Sequence, residues 1–257
     1  MVKKVSDSLD NRVIIVTGGV KGIGAAIVQT ALAQGALVAS FDIIDEIDNK
    51  NKEFKLESQN VTYLKVNVTS EENITEGIDF LINKFGKIDG LVNNAGRNSF
   101  GDATTMTETE WDSFMNLDLK AAWLCAKFAL PHLVKNAPSA IVNISSLHSK
   151  LTAKDFFPYA AAKAGIIGLT KNLALDYADK GVRVNAVSPG YVQTQLAIDY
   201  FDKRPGEEDR VKDIHPMKRI GTPKEIAEVV CFLLSEKASF VTGADWAVDG
   251  GLGSKFA

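Results

Sequence analysis

The sequence predicts an α/β fold in which one doubly wound, seven-stranded parallel sheet carries helices on both faces. Three observations predict it. Short β-branched runs alternate with longer segments of helical period, the first run leads into a glycine-rich turn, and no repeat or linker divides the 257 residues. Alternation of this kind is typical of parallel strands joined by helical crossovers. We therefore expect a single domain over residues 1–257.

Seven runs rich in Val and Ile are predicted as strands because they are short and bounded by turn residues. In chain order they are Arg12–Val16, Ala36–Phe41, Val61–Val66, Ile88–Val92, Ala140–Ile144, Val182–Val187 and Trp246–Val248. Apolar residues at helical spacing predict five helices. These are Gly22–Gln34, Glu71–Phe85, Glu108–Leu133, Pro158–Ala178 and Pro223–Leu234, the last opened by the capping signal Thr222-Pro223.

Two polar stretches interrupt this rhythm. Asp45 to Gln59 is predicted to be a solvated helix or loop. Asp199 to Met217 is charged and contains Pro205, Gly206 and Pro216. Because it falls late in the chain, where loops reach the carboxyl ends of the strands, we expect residues 195–217 to form a lid over substrate.

The composition excludes several classes of function. Twenty-nine basic and 32 acidic residues give a net charge of −3, which offers no positive surface for nucleic acid. No apolar run reaches the roughly 18 residues of a membrane helix, and the first residues lack the apolar centre of a signal peptide. Cys125 and Cys231 lie far apart and belong to no metal-binding pattern. We therefore expect buried free thiols, no metal, no membrane partner and a cytoplasmic setting.

The first predicted strand leads into Thr-Gly-Gly-Val-Lys-Gly-Ile-Gly, residues 17–24. Gly18, Gly22 and Gly24 permit a tight turn and let the backbone approach a pyrophosphate at the start of the next helix. Lys21 and Ile23 lie in the same loop. The spacing Gly-x3-Gly-x-Gly differs from the generic dinucleotide motif, but its place between a strand and a helix favours a dinucleotide site.

Asp42 ends the second predicted strand about 20 residues after the glycines, where a carboxylate meets the ribose of a dinucleotide. It would accept hydrogen bonds from a 2′-hydroxyl and repel a 2′-phosphate, although a solvated acid at a strand end is the alternative. Lys21 indicates the opposite, because it could pair with a 2′-phosphate. NAD is therefore expected, with NADP as the alternative. Asn67 and Val68, after the third strand, are either an adenine contact or a polar turn.

Two further motifs follow the cofactor signals. In Asn93-Asn94-Ala95-Gly96 the small residues permit close approach to a cofactor, and the asparagines can tie neighbouring strands together. Tyr159 and Lys163 stand four residues apart, so one helix face carries both. An ammonium beside a phenol favours the ionised phenol and makes an acid–base group. The pair alone is common on solvated helices. It becomes informative because the glycine turn, the Asn-Asn-Ala-Gly segment and a serine precede it in the chain.

These motifs resemble the short-chain dehydrogenases/reductases. Thr-Gly-x3-Gly-x-Gly, Asn-Asn-Ala-Gly, Ser…Tyr-x3-Lys and Pro189-Gly190 occur together and in order, and the resemblance extends to Asp249-Gly250-Gly251. It implies a Rossmann fold with strand order 3-2-1-4-5-6-7. It also implies a nicotinamide cofactor and a homotetramer built on the two long helices.

The resemblance assigns a catalytic set. Tyr159 would be the general base, and Lys163 would hold the phenolate and the nicotinamide ribose. Ser146, thirteen residues before the tyrosine and therefore preferred to Ser145, would hold the substrate oxygen. Asn116, on the long helix, would hold a water that links Lys163 to solvent. The resemblance further implies a cofactor set comprising Gly18, Lys21, Gly22, Ile23, Gly24, Asp42, Asn67, Val68, Asn94, Ala95, Gly96, Tyr159, Lys163, Pro189, Gly190, Val192 and Thr194.

The substrate is less well defined by the sequence. Candidate pocket residues are Asn98, His148, Phe157, Tyr191, Gln195 and Leu196, with Arg97 and Lys154 beside them. Several can hydrogen-bond, which favours a hydroxylated substrate. The runs Ser145–Ser149 and His215–Gly221 are similar to those of sugar 1-dehydrogenases, so oxidation of an aldose or polyol is expected. The alternatives are a 3-oxoacyl-thioester or other carbonyl reductase that uses NADP, and a catalytically silent NAD-binding regulator.

Overall fold

The sheet is built from short apolar strands, and the computed structural model describes residues 8–44 and 59–255 of the chain. The strands are β1 Val13–Thr17, β2 Leu37–Asp42, β3 Val61–Lys65, β4 Gly90–Asn93, β5 Ser139–Ile144, β6 Val182–Pro189 and β7 Asp245–Val248. They form one sheet in the order β3-β2-β1-β4-β5-β6-β7, and all their pairings are parallel. Strands β1, β4 and β5 are buried along their whole length, as expected where helices cover both faces. The predicted fold class and strand order are confirmed.

Several of the described helices begin at a capping side chain. The α-helices are α1 Gly22–Ala33, α2 Glu71–Phe85, α3 Glu108–Met115, α4 Ala121–Lys135, α5 Tyr159–Tyr177, α6 Gln195–Asp202, α7 Glu207–Ile214 and α8 Pro223–Leu234. Thr107 caps α3 and Thr222 caps α8, each through a reciprocal capping box with a glutamate three residues later. Ser70 caps α2 by accepting the Asn73 N–H at 3.3 Å.

Two helical predictions need correction. The helix predicted over Glu108–Leu133 is divided, because Asn116–Lys120 forms a π-helical segment between α3 and α4. The stretch Asp199 to Met217, predicted as a charged insertion, contains half of α6 and the whole of α7. The prediction for Asp45 to Gln59 lies outside the described residues except at Gln59, which belongs to a turn.

The core has two layers, one on each face of the sheet. One layer places the apolar sides of α1 and α8 against the sheet, and the other places α2 and α4 there. Since the strands are parallel, their carboxyl ends meet at one edge of the sheet. That edge carries the glycine turn after β1, the Asn94 segment after β4, Ser146 after β5 and the loop after β6. Within the described ranges, none of the helices is both long and apolar enough to cross a membrane.

Candidate active site

The glycine turn after β1 is a tight backbone cradle. Gly18 and Gly22 have φ values of 63° and 57°, in the left-handed region that favours glycine. A Cβ built on Gly24 would overlap the carbonyl oxygen of Gly18. The Asn94 side chain donates to the carbonyl oxygens of Thr17 at 3.0 Å and Gly18 at 3.1 Å. The turn is therefore tied to the end of β4, and its open backbone fits a pyrophosphate at the start of α1.

Asp42 lies directly against this turn. It is 9% exposed, and its Oδ2 accepts the Val20 N–H at 3.2 Å while its Oδ1 accepts the Ile44 N–H at 3.1 Å. Two backbone donors thus fix the carboxylate between the glycine turn and the end of β2. Lys21 is exposed at the N-terminus of α1, and its side chain forms no capping bond there.

Asn67 and Val68 have different surroundings. Asn67 is exposed, and its Oδ1 accepts the Thr69 N–H at 3.0 Å and the Thr69 hydroxyl at 2.8 Å. This is the local bonding of a polar turn. Val68 is buried and lines a small cavity together with Ala95 and Thr17. An adenine contact at these positions stays a prediction.

Tyr159 is the first residue of α5, and Lys163 follows one turn later. The Lys163 Nζ lies 5.5 Å from the centroid of the Tyr159 ring. Tyr159 is half-buried, whereas Lys163 is only 6% exposed. The Ser145 hydroxyl donates to the Lys163 carbonyl oxygen at 2.9 Å and joins α5 to the end of β5. The phenol and the ammonium therefore share the predicted edge of the sheet.

Ser146 is buried at the end of β5, where its Oγ accepts the N–H of His148 at 3.2 Å. The His148 ring stacks on Phe156 with centroids 4.2 Å apart and meets the Tyr159 ring edge-on at 5.5 Å. His148 thus bridges the segment of Ser146 and the ring of Tyr159. Burial lowers the pKa of the His148 imidazole below its ordinary value, which favours the neutral ring.

The loop after β6 closes the site. The Gly190 N–H donates to the Val248 carbonyl oxygen at 3.1 Å, and a Cβ on Gly190 would meet Asp249 at 3.0 Å. Val192 is buried, and Thr194 caps α6 by accepting the Ala197 N–H at 3.3 Å. A methyl carbon of Thr194 lies 3.5 Å from the position of a Cβ on Gly22. The loop after β6 therefore reaches the glycine turn.

Comparison with known proteins decides the family. A family model described as enoyl-(acyl carrier protein) reductase matches residues 18–253. This chain belongs to the short-chain dehydrogenases/reductases. It is thus an oxidoreductase of a family that acts on hydroxyl and carbonyl groups with a nicotinamide cofactor.

Individual relatives in this family differ in activity. A 3-oxoacyl-[acyl-carrier-protein] reductase of Thermotoga maritima is 36% identical over 95% of this chain and 98% of its own length. Among solved structures, the ligand-free aldohexose dehydrogenase of Thermoplasma acidophilum has a TM-score of 0.89 and 35% identity, over 98% of this chain and 97% of that one. ElxO with NADP bound has a TM-score of 0.88 and 34% identity, over 95% of this chain and all of that one.

One buried acid of this dehydrogenase/reductase lies beside the ammonium of the predicted catalytic set. Asp118 is 2% exposed, and its Oδ1 lies 3.6 Å from the Lys163 Nζ. Asn116 is exposed two residues earlier, and the water predicted to join it to Lys163 stays a prediction. Both Asp118 oxygens accept the Arg97 N–H, at 3.1 and 3.3 Å. Burial raises the pKa of the Asp118 carboxyl above its ordinary value, against the attraction of Lys163.

The helical pattern around residue 118 contains a signal for this placement. Phe114 precedes Asp118 by four residues, and Ala121 and Ala122 follow it by three and four; all three are buried. Asp118 therefore shares the buried face of the helix. Asn116 does not fit that spacing.

The substrate candidates divide into two groups. His148 meets the ring of Tyr159, and Phe157 packs against Trp111 with centroids 5.5 Å apart. Gln195 is exposed and donates to Asp199 at 2.8 Å. Tyr191 packs against Phe201 and His215, and burial raises the pKa of its phenol. Leu196 is 51% exposed, Asn98 is half-buried, and Arg97 and Lys154 are exposed.

Three aromatic residues near His148 and Tyr159 were not predicted from the sequence, namely Phe100, Phe156 and Tyr200. Phe100 meets Phe156 edge-on at 4.9 Å and stacks on Tyr200 at 5.6 Å. The guanidinium of Arg204 lies 4.1 Å from the centroid of the Tyr200 ring. Since Tyr200 belongs to α6, the late charged segment touches the loop that follows β4.

Proposed function

We propose that this chain is an NAD-dependent dehydrogenase that oxidises a hydroxyl group of a sugar or polyol to a carbonyl. One observation carries the proposal: the half-buried Tyr159 phenol lies beside the buried Lys163 ammonium at the edge that also holds the glycine turn. An ammonium held out of water near a phenol favours the phenolate that general-base chemistry needs.

Each residue of the set has a distinct task in this proposal. The Tyr159 oxygen takes the proton of the substrate hydroxyl, and Lys163 stabilises the charge that then forms on the phenol. Since the Ser146 oxygen already accepts the His148 N–H, its hydrogen is available to hold the substrate oxygen. The glycine turn, Asp42 and the loop after β6 would hold the cofactor. When bound, the nicotinamide supplies the acceptor for the hydride.

Asp42 supports NAD rather than NADP. Its carboxylate is fixed by two backbone donors against the glycine turn, where it can accept from a ribose 2′-hydroxyl and repel a 2′-phosphate. The exposed side chain of Lys21 and the NADP-bound relative ElxO favour the alternative. We give Asp42 more weight because its position is fixed by bonds.

Two observations support a sugar. The rings of His148 and Phe156 lie 5.5 and 6.4 Å from that of Tyr159, so the phenol has partly apolar surroundings that suit the carbon skeleton of a sugar ring. The similar aldohexose dehydrogenase acts on a sugar by its name. The 3-oxoacyl-thioester alternative is favoured by the similar reductase of Thermotoga maritima. A silent regulator, the third alternative, would have no need of the buried Lys163 beside Tyr159.

The decisive experiment combines a substrate panel with Tyr159→Phe. Formation or consumption of reduced cofactor is followed at 340 nm with aldoses, polyols, cyclic alcohols and 3-oxoacyl thioesters, using each cofactor in turn. We expect aldose- or polyol-dependent formation of NADH by the native enzyme. Tyr159→Phe should lower kcat at least ~100-fold, because general-base catalysis contributes about 10²- to 10⁴-fold. Binding of NADH should change less than about threefold.

Tyr177→Phe, at the last residue of the same helix, is the matched control and should retain full activity. Substantial turnover by Tyr159→Phe would reject the assigned role. Activity confined to NADPH and oxoacyl thioesters would support the reductase, and cofactor binding without turnover on the whole panel would support the regulator.

Three further features belong to the same proposal. Residues 195–217 would act as a lid, supported by the stacking of Tyr200 on Phe100 at 5.6 Å; slower proteolysis of this segment in the presence of substrate would show it. A homotetramer is supported by Trp123 and Leu175, 43% and 81% exposed on the two long helices, and light scattering measures it. A cytoplasmic setting is supported by two free, buried cysteines, and cell fractionation tests it.

A further inference from the structure

Asp118 and Lys163 form a buried ion pair at the base of the site. The carboxylate is anchored on one side by the Arg97 N–H, and the Lys163 Nζ lies 3.6 Å away on the other. Both side chains are nearly inaccessible to solvent. A Cβ on Gly96 would lie 2.7 Å from the Asp118 oxygen and 3.4 Å from the Lys163 nitrogen. The Gly96 backbone therefore covers the pair.

The pair changes what Lys163 does to Tyr159. A lone ammonium 5.5 Å from the ring centroid would favour the phenolate strongly, because solvent does not screen a buried charge well. A carboxylate within 4 Å of that ammonium opposes it with a charge of equal size. The phenol of Tyr159 is then exposed to the field of a dipole rather than that of a full positive charge.

Several other charged or titratable groups lie near Asp118 on the elements around it. The Arg97 guanidinium donates to Ser113 at 3.1 Å and lies 5.7 Å from the Phe114 ring, so α3 holds it. Cys125 on α4 lines the same small cavity as Asp118, and burial raises the pKa of its thiol to about 12, which keeps it neutral. From α5, the Lys163 ammonium lies 3.6 Å from the carboxylate and 5.5 Å from the centroid of the Tyr159 ring. The ring of His148, after β5, meets that of Tyr159 at 5.5 Å.

We propose that Asp118 is a positioning residue whose charge, acting through Lys163, moves the working range of Tyr159 toward alkaline pH. The inference rests on the proposed function, since it concerns the same acid–base pair. It makes an alkaline preference for alcohol oxidation a property of this chain's own residue at position 118.

The test is Asp118→Asn, which keeps the shape of the side chain and removes its charge. The pH profile of kcat/KM for alcohol oxidation is measured from pH 5 to 10 in native enzyme and variant. We expect the acid-side midpoint of the profile to fall by about one pH unit. A shift of this size is what one poorly screened charge produces on a titrating group less than about 10 Å away. Asp112→Asn, an exposed acid on α3, is the matched control and should leave the profile in place.

A second measurement does not depend on turnover. The absorbance of tyrosinate at 295 nm is titrated in the NADH complex, and the titration of Tyr159→Phe is subtracted. The Tyr159 midpoint should fall by the same amount in Asp118→Asn. If the native chain turns over none of the panel, the proposed function fails, and this titration still decides the role of Asp118.

Coincident midpoints for the native enzyme and Asp118→Asn, by either measurement, would overturn the proposal, as would a shift in the opposite direction. Circular dichroism and the melting temperature establish that the variant is folded. If Asp118→Asn does not fold, Asp118→Ser removes the charge with a smaller side chain, and the same two outcomes apply to it.

Discussion

Replacing Asp42 with Ala tests the proposed cofactor preference at a single carboxylate. The substitution removes the acceptor of the Val20 and Ile44 N–H groups, 3.2 and 3.1 Å from the carboxylate oxygens. It also removes the group proposed to bind the ribose of NAD. A hydrogen bond to a charged group contributes about 1.5–3 kcal/mol. One such bond to the ribose corresponds to a fall in NAD affinity of roughly 10- to 150-fold.

The same change should improve the use of NADP, because a carboxylate no longer repels the 2′-phosphate. Stability should fall as well. The Val20 N–H is buried at this bond, and an unsatisfied buried donor costs about 1–3 kcal/mol. For a chain of this size that cost lowers Tm by roughly 2–12 °C.

The assay is initial-rate kinetics with NAD and NADP at saturating alcohol, together with fluorescence titration of NADH and NADPH. Asp79→Ala, at an exposed position on α2, is the control for the loss of one negative charge. An unchanged KM for NAD in folded Asp42→Ala would refute the reasoning. A native enzyme that already prefers NADP would refute it before any variant is made.

Two further predictions follow from burial and exposure. Burial raises the pKa of the Cys125 and Cys231 thiols to about 12, so both thiols stay protonated up to strongly alkaline pH. At pH 8 the folded chain should therefore react with a thiol-specific disulfide reagent at least ~100-fold more slowly than the denatured chain. Rapid labelling of the native chain would contradict this. Leu175→Asp, at an 81% exposed position on α5, should lower the mass of the proposed tetramer in light scattering, whereas Phe80→Asp on α2 should not; an unchanged mass for Leu175→Asp would reject that interface.

Most of the fold was predictable because local pattern and global topology agree in this chain. Strand β5 contains the predicted Ala140–Ile144 and one residue before it, and β6 contains the predicted Val182–Val187 and two residues after it. Buried parallel strands are short and β-branched, so their pattern is hard to mistake for that of a surface helix. The strand order came from the resemblance, and the structure confirms it.

The site was predictable where the residue type itself indicates the backbone conformation. Glycines at 18 and 22 indicate a left-handed backbone, and both adopt it. The serine, tyrosine and lysine lie on adjacent elements because strand ends and helix starts meet at one edge. The functions assigned to them stay proposals, tested by the variants above.

The rest of the fold and of the site depends on contacts between separate elements, which the spacing of residues along one element does not predict. The motif match selected Asn116 on this helix and did not indicate Asp118, whose carboxylate lies 3.6 Å from the Lys163 Nζ. The stacking of Phe100 on Tyr200 joins positions 100 residues apart, and a periodic pattern records neighbours only along one element. The helices of residues 195–217 are short and polar, so they lack the long apolar stripe that identifies α1 or α8.

The π-helical turn at Asn116–Lys120 also affects how the length of the chain can vary in this region. Such a turn holds about one residue more than an α-helical turn. Elsewhere in α3 or α4, deletion of one residue would rotate everything that follows by about 100°. In this turn a deletion would leave a turn of α-helical length, so α3 and α4 could join in one α-helix and keep about their present relation. Related chains can therefore differ by one residue at this turn while Phe114 and Ala121 stay buried.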